Sequence, residues 1–444
     1  MLIKYTCSRF IKPVFKERQW FNKGEWFCAF INLKNNLTLI TALGDVIMKN
    51  IYTKMAAGLY INYFLLGMIN IIIASNMEAL SKQLHTSAAG VSYLVSAIGI
   101  GKLISLLFAG KLSDTFGRRP FIVAGAFLYL IFLIGIPLST NYTEAFIFAI
   151  FAGIANSFLD SGTYPALIEG FPKNASSATV LIKAFVSIGA TVLPFFIAFI
   201  ADRHLFYGWT FFVPGIIFFL NGFFLLKVPF PNHKQKDDGG RTEASPSDDT
   251  FRSQPSIWRE GLAIILLGFS STALFMLVQV WLPKFGQSVL GMPEVQAVKL
   301  LSYYSIGALV SVLLLAVLLN RVIQPITVMV LYPVIAAIAL LALIFIQQPA
   351  VSVISSFVIG LSTAGILQLA MTVMAVLFPK NKGTITSFVN IASSLSFIVI
   401  PLITGAISKT AGLTPVFLLD IGIAAVSALL ALFIGIRFKQ VMRA

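Results

Sequence analysis

Gly110-Lys-Leu-Ser-Asp-Thr-Phe-Gly-Arg-Arg-Pro120 lies between two long apolar segments, near residues 88–109 and 121–138. A short polar turn between two apolar helices has to lie in water, because charges and unsatisfied backbone groups are costly in hydrocarbon. Its adjacent arginines also indicate the cytoplasmic side of the membrane, since short loops rich in Lys and Arg stay in the cytoplasm. An ordinary basic loop would explain the arginines, but not the spaced glycines and the acid.

The composition of the whole chain agrees with this turn. The chain is 58% hydrophobic and 11% charged, whereas soluble domains carry about 25% charged residues. Apolar stretches of about 20 residues, the length of a membrane-spanning helix, recur along it. We predict an all-α polytopic membrane protein with twelve transmembrane helices in two six-helix bundles. The predicted spans lie near residues 56–75, 88–109, 121–138, 145–167, 178–200, 209–226, 262–282, 300–319, 326–345, 351–377, 387–407 and 415–436.

An internal repeat divides the chain into halves. Gly153, Phe171-Pro-Lys-Asn174 and Pro194 recur as Gly360, Phe378-Pro-Lys-Asn381 and Pro401, and every pair is 207 residues apart. The matched segments cross the membrane in the same direction, so the halves are parallel repeats. We predict a first bundle at 48–226, a cytoplasmic linker at 227–260 that is too polar to order itself, and a second bundle at 261–444.

Residues 1–47 differ from the rest, because they contain seven basic residues and no uninterrupted apolar run of 18. They do not contain an apolar region followed by a small-residue cleavage site, as a signal peptide would. Met48-Lys-Asn-Ile-Tyr-Thr-Lys54 reads as a short cytoplasmic start. We therefore expect residues 1–47 to be a non-core extension, with Met48 as the true initiator; a basic arm on the membrane surface is the alternative.

The net charge of +15 follows the membrane topology. Of the 25 Lys and Arg residues from Met48 onward, 18 lie on the side of the 110–120 turn and five on the other, which leaves Lys102 and Lys183 inside spans. This bias predicts both termini in the cytoplasm and argues against a nucleic-acid partner. Both cysteines precede Met48, and no metal-ligand spacing or phosphate-binding loop is present, so we expect no cofactor and no enzyme activity.

The 110–120 turn resembles the loop signature of the major facilitator superfamily. By that resemblance Gly110, Asp114, Gly117, Arg118 and Arg119 form a cytoplasmic gate, in which the acid meets the start of the eleventh span near Thr384-Ile-Thr386-Ser387. A carboxylate is attracted to the free N–H groups of a helix start in any case. Thr115 stands where the signature has a base, and the second-half turn, Leu319-Asn-Arg-Val-Ile-Gln-Pro325, has lost both glycines and the acid.

Asp160 reads as the only carboxylate well inside a span, and such groups usually face a water-filled cavity. Leu159-Asp-Ser-Gly-Thr-Tyr-Pro165 resembles the fourth-span motif of fucose-permease-like symporters, which implies that Asp160 carries the proton. The alternative is a static pair between Asp160 and Lys183. We assign proton coupling to these two residues, and we expect the solute cavity to be lined by Asn62, Asn70, Lys102, Asn156, Gln279, Trp281, Tyr303, Tyr304, Gln368 and Asn390.

Two lysines against one acid give the expected cavity a formal charge of +1, which favours an anionic solute, although neutral sugars remain open. We predict a monomeric secondary transporter in a bacterial inner membrane that moves a small polar or anionic solute with protons by alternating access. Phe158-Leu-Asp-Ser-Gly-Thr-Tyr-Pro-Ala166 and Lys299-Leu-Leu-Ser-Tyr-Tyr304 are similar to bacterial inner-membrane transport proteins of the YdiM/YdiN type. The alternatives are proton-coupled efflux of drugs or metabolites and, in another class, a transport-dead membrane sensor.

Overall fold

The computed structural model describes residues 50–231, 253–318, 324–378 and 382–442. The expected extension at 1–47, most of the predicted linker and parts of the second-half turn and of the second Phe-Pro-Lys-Asn copy lie outside these residues. The described helices are α1 (Thr53–Ser75), α2 (Met77–Gln83), α3 (Ala88–Phe116), α4 (Arg118–Leu138), α5 (Tyr142–Gly170), α6 (Ala175–Asp202), α7 (Trp209–Lys227), α8 (Leu262–Ser288), α9 (Glu294–Leu318), α10 (Pro325–Phe345), α11 (Pro349–Thr363), α12 (Ile366–Leu377), α13 (Lys382–Ala411) and α14 (Thr414–Val441).

Twelve helical segments of the described residues are long and apolar enough to cross a membrane. They match the twelve predicted spans, because a continuous apolar run longer than about 18 residues has few other stable forms in lipid. Three details differ from the sequence prediction. The segment predicted as a turn at 110–120, called the 110–120 turn throughout, is helical except at Gly117, which lies between α3 and α4. The short helix α2 was not expected, and the tenth span is divided at Ala364 and Gly365 into α11 and α12.

Local signals explain several helix ends. The Ser87 side chain accepts a hydrogen bond from Gly90 N at the start of α3, and Asn141 accepts one from Glu144 N at the start of α5. Such caps satisfy backbone donors that have no partner within the helix. Gly117 separates α3 from α4 with φ of 94°, a region that residues with a Cβ atom rarely occupy. The second glycine of the 110–120 turn therefore has a direct backbone role.

Two helix crossings carry the internal repeat into three dimensions. At the α3–α5 crossing, a Cβ atom on Gly153 would meet Ile98 O and would lie 2.5 Å from Lys102 N. At the α9–α11 crossing, a Cβ atom on Gly360 would meet Tyr304 O and would lie 2.7 Å from Tyr304 C. Small residues at these crossings let the helix backbones touch. Equivalent glycines thus bring equivalent helices together in the two halves.

The two halves meet along two helix pairs, α3 with α13 and α6 with α9. Ser96 Oγ donates to Ile398 O at 2.9 Å, and Ser302 Oγ donates to Thr191 O at 2.9 Å. Ser96 lies near the start of α3, whereas the 110–120 turn lies at its other end. A Cβ atom on Gly110 would meet nothing within 4 Å. These contacts therefore join the halves at the end of α3 that is remote from the turn.

Candidate functional site

Asp160 on α5 lies in a cluster of polar groups from several helices. Tyr63 Oη on α1 donates a hydrogen bond of 2.6 Å to Asp160 Oδ1. Lys102 Nζ on α3 forms an ion pair of 3.2 Å with Asp160 Oδ2. The Asp160 side chain is 27% exposed and that of Lys102 is 24% exposed. Each carboxylate oxygen therefore has its own donor, while the pair keeps access to solvent.

Backbone contacts fix the relative positions of Lys102 and Asp160. Ser157 Oγ donates to Lys102 O at 2.8 Å, one turn from the glycine crossing of α3 and α5. Further along α5, Pro165 has no N–H group for the carbonyl of residue 161. Ser113 Oγ of the 110–120 turn donates to that Ser161 O at 3.1 Å instead. The same two helices thus hold both the ion pair and the turn.

Lys183 has a different role from the one that the static-pair alternative expected. The ion pair of Asp160 in the structure is with Lys102 and not with Lys183. Lys183 is half-buried on α6, close enough to Asp160 for the two charges to interact. Two cations from different helices therefore surround one carboxylate, and only one of them is bonded to it.

Aromatic and amide side chains complete the first-half cluster. The Tyr164 ring lies edge-on to the Tyr63 ring, with ring centroids 6.0 Å apart. Asn156, one helical turn before Asp160, is 8% exposed, and its Oδ1 has no hydrogen-bond partner among the described residues. Sequence reasoning found Asn156 from its spacing but missed Tyr63 and Tyr164, because aromatic residues are common in spans and carry no distinguishing pattern.

The two asparagines of α1 that were expected to line the cavity lie in different environments. Asn62 is fully buried, and Asn221 Nδ2 on α7 donates to Asn62 Oδ1 at 2.7 Å and to Gly58 O at 2.8 Å. Asn70 is exposed. The structure therefore places Asn62 at a contact between two helices rather than in a cavity wall.

The residues of the second half that were expected to line the solute cavity fall into two groups. Trp281 is fully buried, and its Nε1 donates to Thr404 Oγ1 at 2.9 Å, so this residue belongs to the core. Tyr304 is also fully buried and donates to Phe275 O, and Gln279 is 7% exposed. Tyr303 and Gln368 are half-buried and Asn390 is exposed, so the expected lining role of these three stays a prediction.

Asp420 corrects the expectation that Asp160 is the only carboxylate inside a span. It lies six residues after the start of α14 and is fully buried. Neither of its side-chain oxygens has a hydrogen-bond partner among the described residues. Sequence reasoning missed it because it lies close to the expected start of that span, where an acid is ordinary.

The 110–120 turn contains an ion network. Arg118 donates to Asp114 and, with a nitrogen–oxygen distance of 3.0 Å, to Glu169 at the end of α5. The Asp114 side chain is 67% exposed. Arg119 is half-buried, and its Nε has no partner among the described residues. Glu169 was not predicted, and the side chains of Thr384 and Thr386, at the helix start that Asp114 was expected to meet, lie outside those described.

A second charged group lies at the opposite end, on α2 and the neighbouring helix ends of the second half. Lys82 Nζ and Glu78 Oε1 are 2.9 Å apart. Their hydrogen bond lowers the pKa of Glu78 and raises that of Lys82. The charge of Lys284 on α8 acts on Glu78, and that of Glu294 on α9 acts on Lys82. Opposite charges from the two halves therefore face each other there.

Comparison with known proteins agrees with this architecture. The family model described as Major Facilitator Superfamily matches residues 59–368 and 300–440. The uncharacterized MFS-type transporter YfkL of Bacillus subtilis is 48% identical, over 88% of this chain and 98% of its own. The inner membrane transport protein YdiM of Escherichia coli is 41% identical, over 89% and 97%. The crystal structure of a D-xylose-proton symporter superposes with a TM-score of 0.70 at 16% identity, over 86% of this chain and 96% of that one.

Proposed function

This chain belongs to the major facilitator superfamily of membrane transporters, and we propose that it is a proton-coupled symporter in which Asp160 carries the proton. Family membership confirms the predicted fold, the multi-pass inner-membrane location and the class of protein, which is a transporter rather than an enzyme. The proposal adds the coupling ion, the residue that carries it, and a small polar or anionic solute.

The observation that carries the proposal is that Asp160 accepts a hydrogen bond from Tyr63 and forms an ion pair with Lys102. Asp160 lies 18 residues from one end of α5 and 10 from the other, or about 27 and 15 Å along the axis. An ionisable side chain at that depth is costly and usually serves a transport pathway. When this partly exposed carboxylate takes up a proton, it loses its negative charge and its ion pair with Lys102 is broken. The proton and the helix contact are thereby linked.

The contacts between the halves support an alternating-access cycle. We propose that the described conformation faces the cytoplasm, with both termini on that side, because the halves touch at the end of α3 remote from the basic turn. In the opposite state the contacts of Ser96 and Ser302 separate. The 110–120 turn then closes on the start of α13, with Asp114 released from Arg118. We expect a monomer to complete this cycle, because both halves belong to one chain.

Transport by purified protein in proteoliposomes tests the proposal. The probes are lactate, succinate, benzoate, xylose and fucose, each offered with and without an inward proton gradient. For any probe that is transported, Asp160→Asn should abolish accumulation driven by the gradient and spare exchange of labelled for unlabelled solute. Asp202→Asn is the matched control, because this exposed acid ends α6 outside the cluster. Undiminished gradient-driven accumulation in Asp160→Asn would exclude the coupling role. An inward proton gradient that drives the probe out of the liposomes would indicate efflux by antiport.

A further inference from the structure

The charges around Asp160 are unequal in number and in bonding. Lys102 forms an ion pair with the carboxylate at 3.2 Å, whereas Lys183 interacts with its charge without forming an ion pair. The titratable groups that face Asp160 from its own and the neighbouring helices are Tyr63 on α1, Lys102 on α3, Tyr129 on α4, Tyr164 on α5 and Lys183 on α6. Counted by formal charge, these described groups contain one carboxylate, that of Asp160, and two ammonium groups, those of Lys102 and Lys183.

From this imbalance we infer that the transported solute is a small monocarboxylate, which binds between Lys102 and Lys183 when a proton occupies Asp160. The inference rests on the proposed function, because it requires Asp160 to take up the proton. It goes further by naming the chemical class of the solute and the two cations that hold it.

Competition for Lys102 explains why the proton and the anion would travel together. When Asp160 is ionised, its Oδ2 occupies the Lys102 ammonium, and a second anion beside it would be repelled. A proton on Asp160 removes that negative charge and frees Lys102 for the solute carboxylate. The proton therefore strengthens anion binding, and by thermodynamic linkage the anion strengthens proton binding by the same factor.

The formal charges also select a monoanion. The empty cluster of Lys102, Lys183 and ionised Asp160 carries +1. The cluster loaded with one proton and one monoanion again carries +1, so the two forms that change sides differ little in electrostatic energy. One proton and one monoanion cross together, which makes the complete step electroneutral. A dianion would leave the loaded cluster with no net charge and would carry charge across the membrane.

The chemistry of the two cations agrees with a carboxylate. Lysine ammonium groups are compact point charges on flexible stems, and each can donate to one oxygen of a small anion. The described cluster contains two lysines from different helices and no arginine. Two ammonium groups can each bind one oxygen of a small carboxylate.

Matched pairs of probes test this inference in proteoliposomes: lactate with lactamide, and benzoate with benzamide. We expect the proton gradient to drive uptake of a carboxylate and not of its amide. With the proton gradient held fixed, a potassium diffusion potential of either sign should leave carboxylate uptake unchanged. Lys183→Gln should raise the half-saturating carboxylate concentration about tenfold, the effect of losing one charge-assisted hydrogen bond. Lys409→Gln, an exposed lysine at the end of α13, is the control.

Three results would overturn the inference. Equal transport of acid and amide would remove the anion requirement. An unchanged half-saturating concentration in Lys183→Gln would show that Lys183 does not bind the solute. Uptake driven by the membrane potential would show that transport is not electroneutral. If neutral probes such as xylose are instead accumulated with protons and this depends on Asp160, the proposed function stands and the carboxylate inference fails. If no probe shows Asp160-dependent coupling to protons, both fail.

Discussion

The glycine crossing of α3 and α5 allows a direct test of how packing sets the proton site. A Cβ atom on Gly153 would lie 2.5 Å from Lys102 N, and ordinary contact begins near 3.4 Å. Gly153→Ala must therefore move α3 and α5 apart by at least about 0.9 Å at this point, because the Cβ atom would lie closer still to Ile98 O. Overpacking of this kind costs about 1–3 kcal/mol, offset by about 1 kcal/mol from the better helix propensity of alanine.

The same displacement acts on the ion pair. If the movement is transmitted to the side chains, the distance of 3.2 Å between Lys102 Nζ and Asp160 Oδ2 grows to about 4.1 Å. At an effective dielectric constant of about 20, the attraction falls by about 1 kcal/mol, which corresponds to a little under one pH unit. We expect the pH profile of uptake to shift by about that amount, because the ion pair that competes with a proton for Asp160 is weaker.

The internal repeat supplies matched controls. Gly360→Ala creates the equivalent clash with Tyr304 in the second half, where the described residues form no ion pair beside the crossing. A Cβ atom on Gly422 of α14 would meet nothing within 4 Å. Thermal unfolding followed by the fluorescence of the five tryptophans should show similar losses for Gly153→Ala and Gly360→Ala and none for Gly422→Ala. Only Gly153→Ala should shift the pH profile of uptake. An equal shift in Gly360→Ala, or unchanged stability in both, would refute the reasoning.

Four further predictions follow from contacts away from that crossing. Trp281→Phe should lose the bond to Thr404 and about 1 kcal/mol of stability in thermal unfolding, with the half-saturating solute concentration unchanged; a large loss of affinity would return Trp281 to the cavity wall. Glu169→Gln should weaken the hold on Arg118 and slow transport several-fold at unchanged affinity, and a normal rate would exclude Glu169 from the gate. Lys284→Glu places like charges opposite Glu78 and should open that end, so a cysteine at Ser96 should react faster with maleimide; an unchanged rate would contradict this. Asp420→Asn should leave the melting temperature unchanged or raise it, because the buried carboxyl group has no hydrogen-bond partner among the described residues that an amide would lose, and a clear drop would indicate a partner in another state.

The number and order of the spans could be predicted from the sequence because long apolar runs have essentially one stable form in lipid. The repeat and the pattern around Asp160 also come from local spacing. The partners of Asp160 could not be predicted. Lys102 and Lys183 lie on different helices, and the sequence does not specify how far each helix rotates about its axis. Close packing at Gly153 sets that rotation and brings Lys102 to the carboxylate.

The same limit explains the other corrections. Asn62 and Trp281 have the residue types of a cavity wall, but their helices turn them toward Asn221 and Thr404. The sequence does not predict the division of the tenth span at Gly365, because single glycines are common within membrane helices. Glu169 lies just beyond the predicted end of its span, so only the fold shows that it meets Arg118.

The most direct test of the central claim is to measure protons and solute in one experiment. Proteoliposomes that contain a pH-sensitive dye receive an inward gradient of the probe that wild-type protein transports, with no proton gradient and the membrane potential clamped. Our account predicts that the interior becomes acidic as the solute enters, and that Asp160→Asn abolishes the acidification while Asp202→Asn retains it. Solute entry without a pH change in the wild type, or equal acidification in Asp160→Asn, would contradict the account.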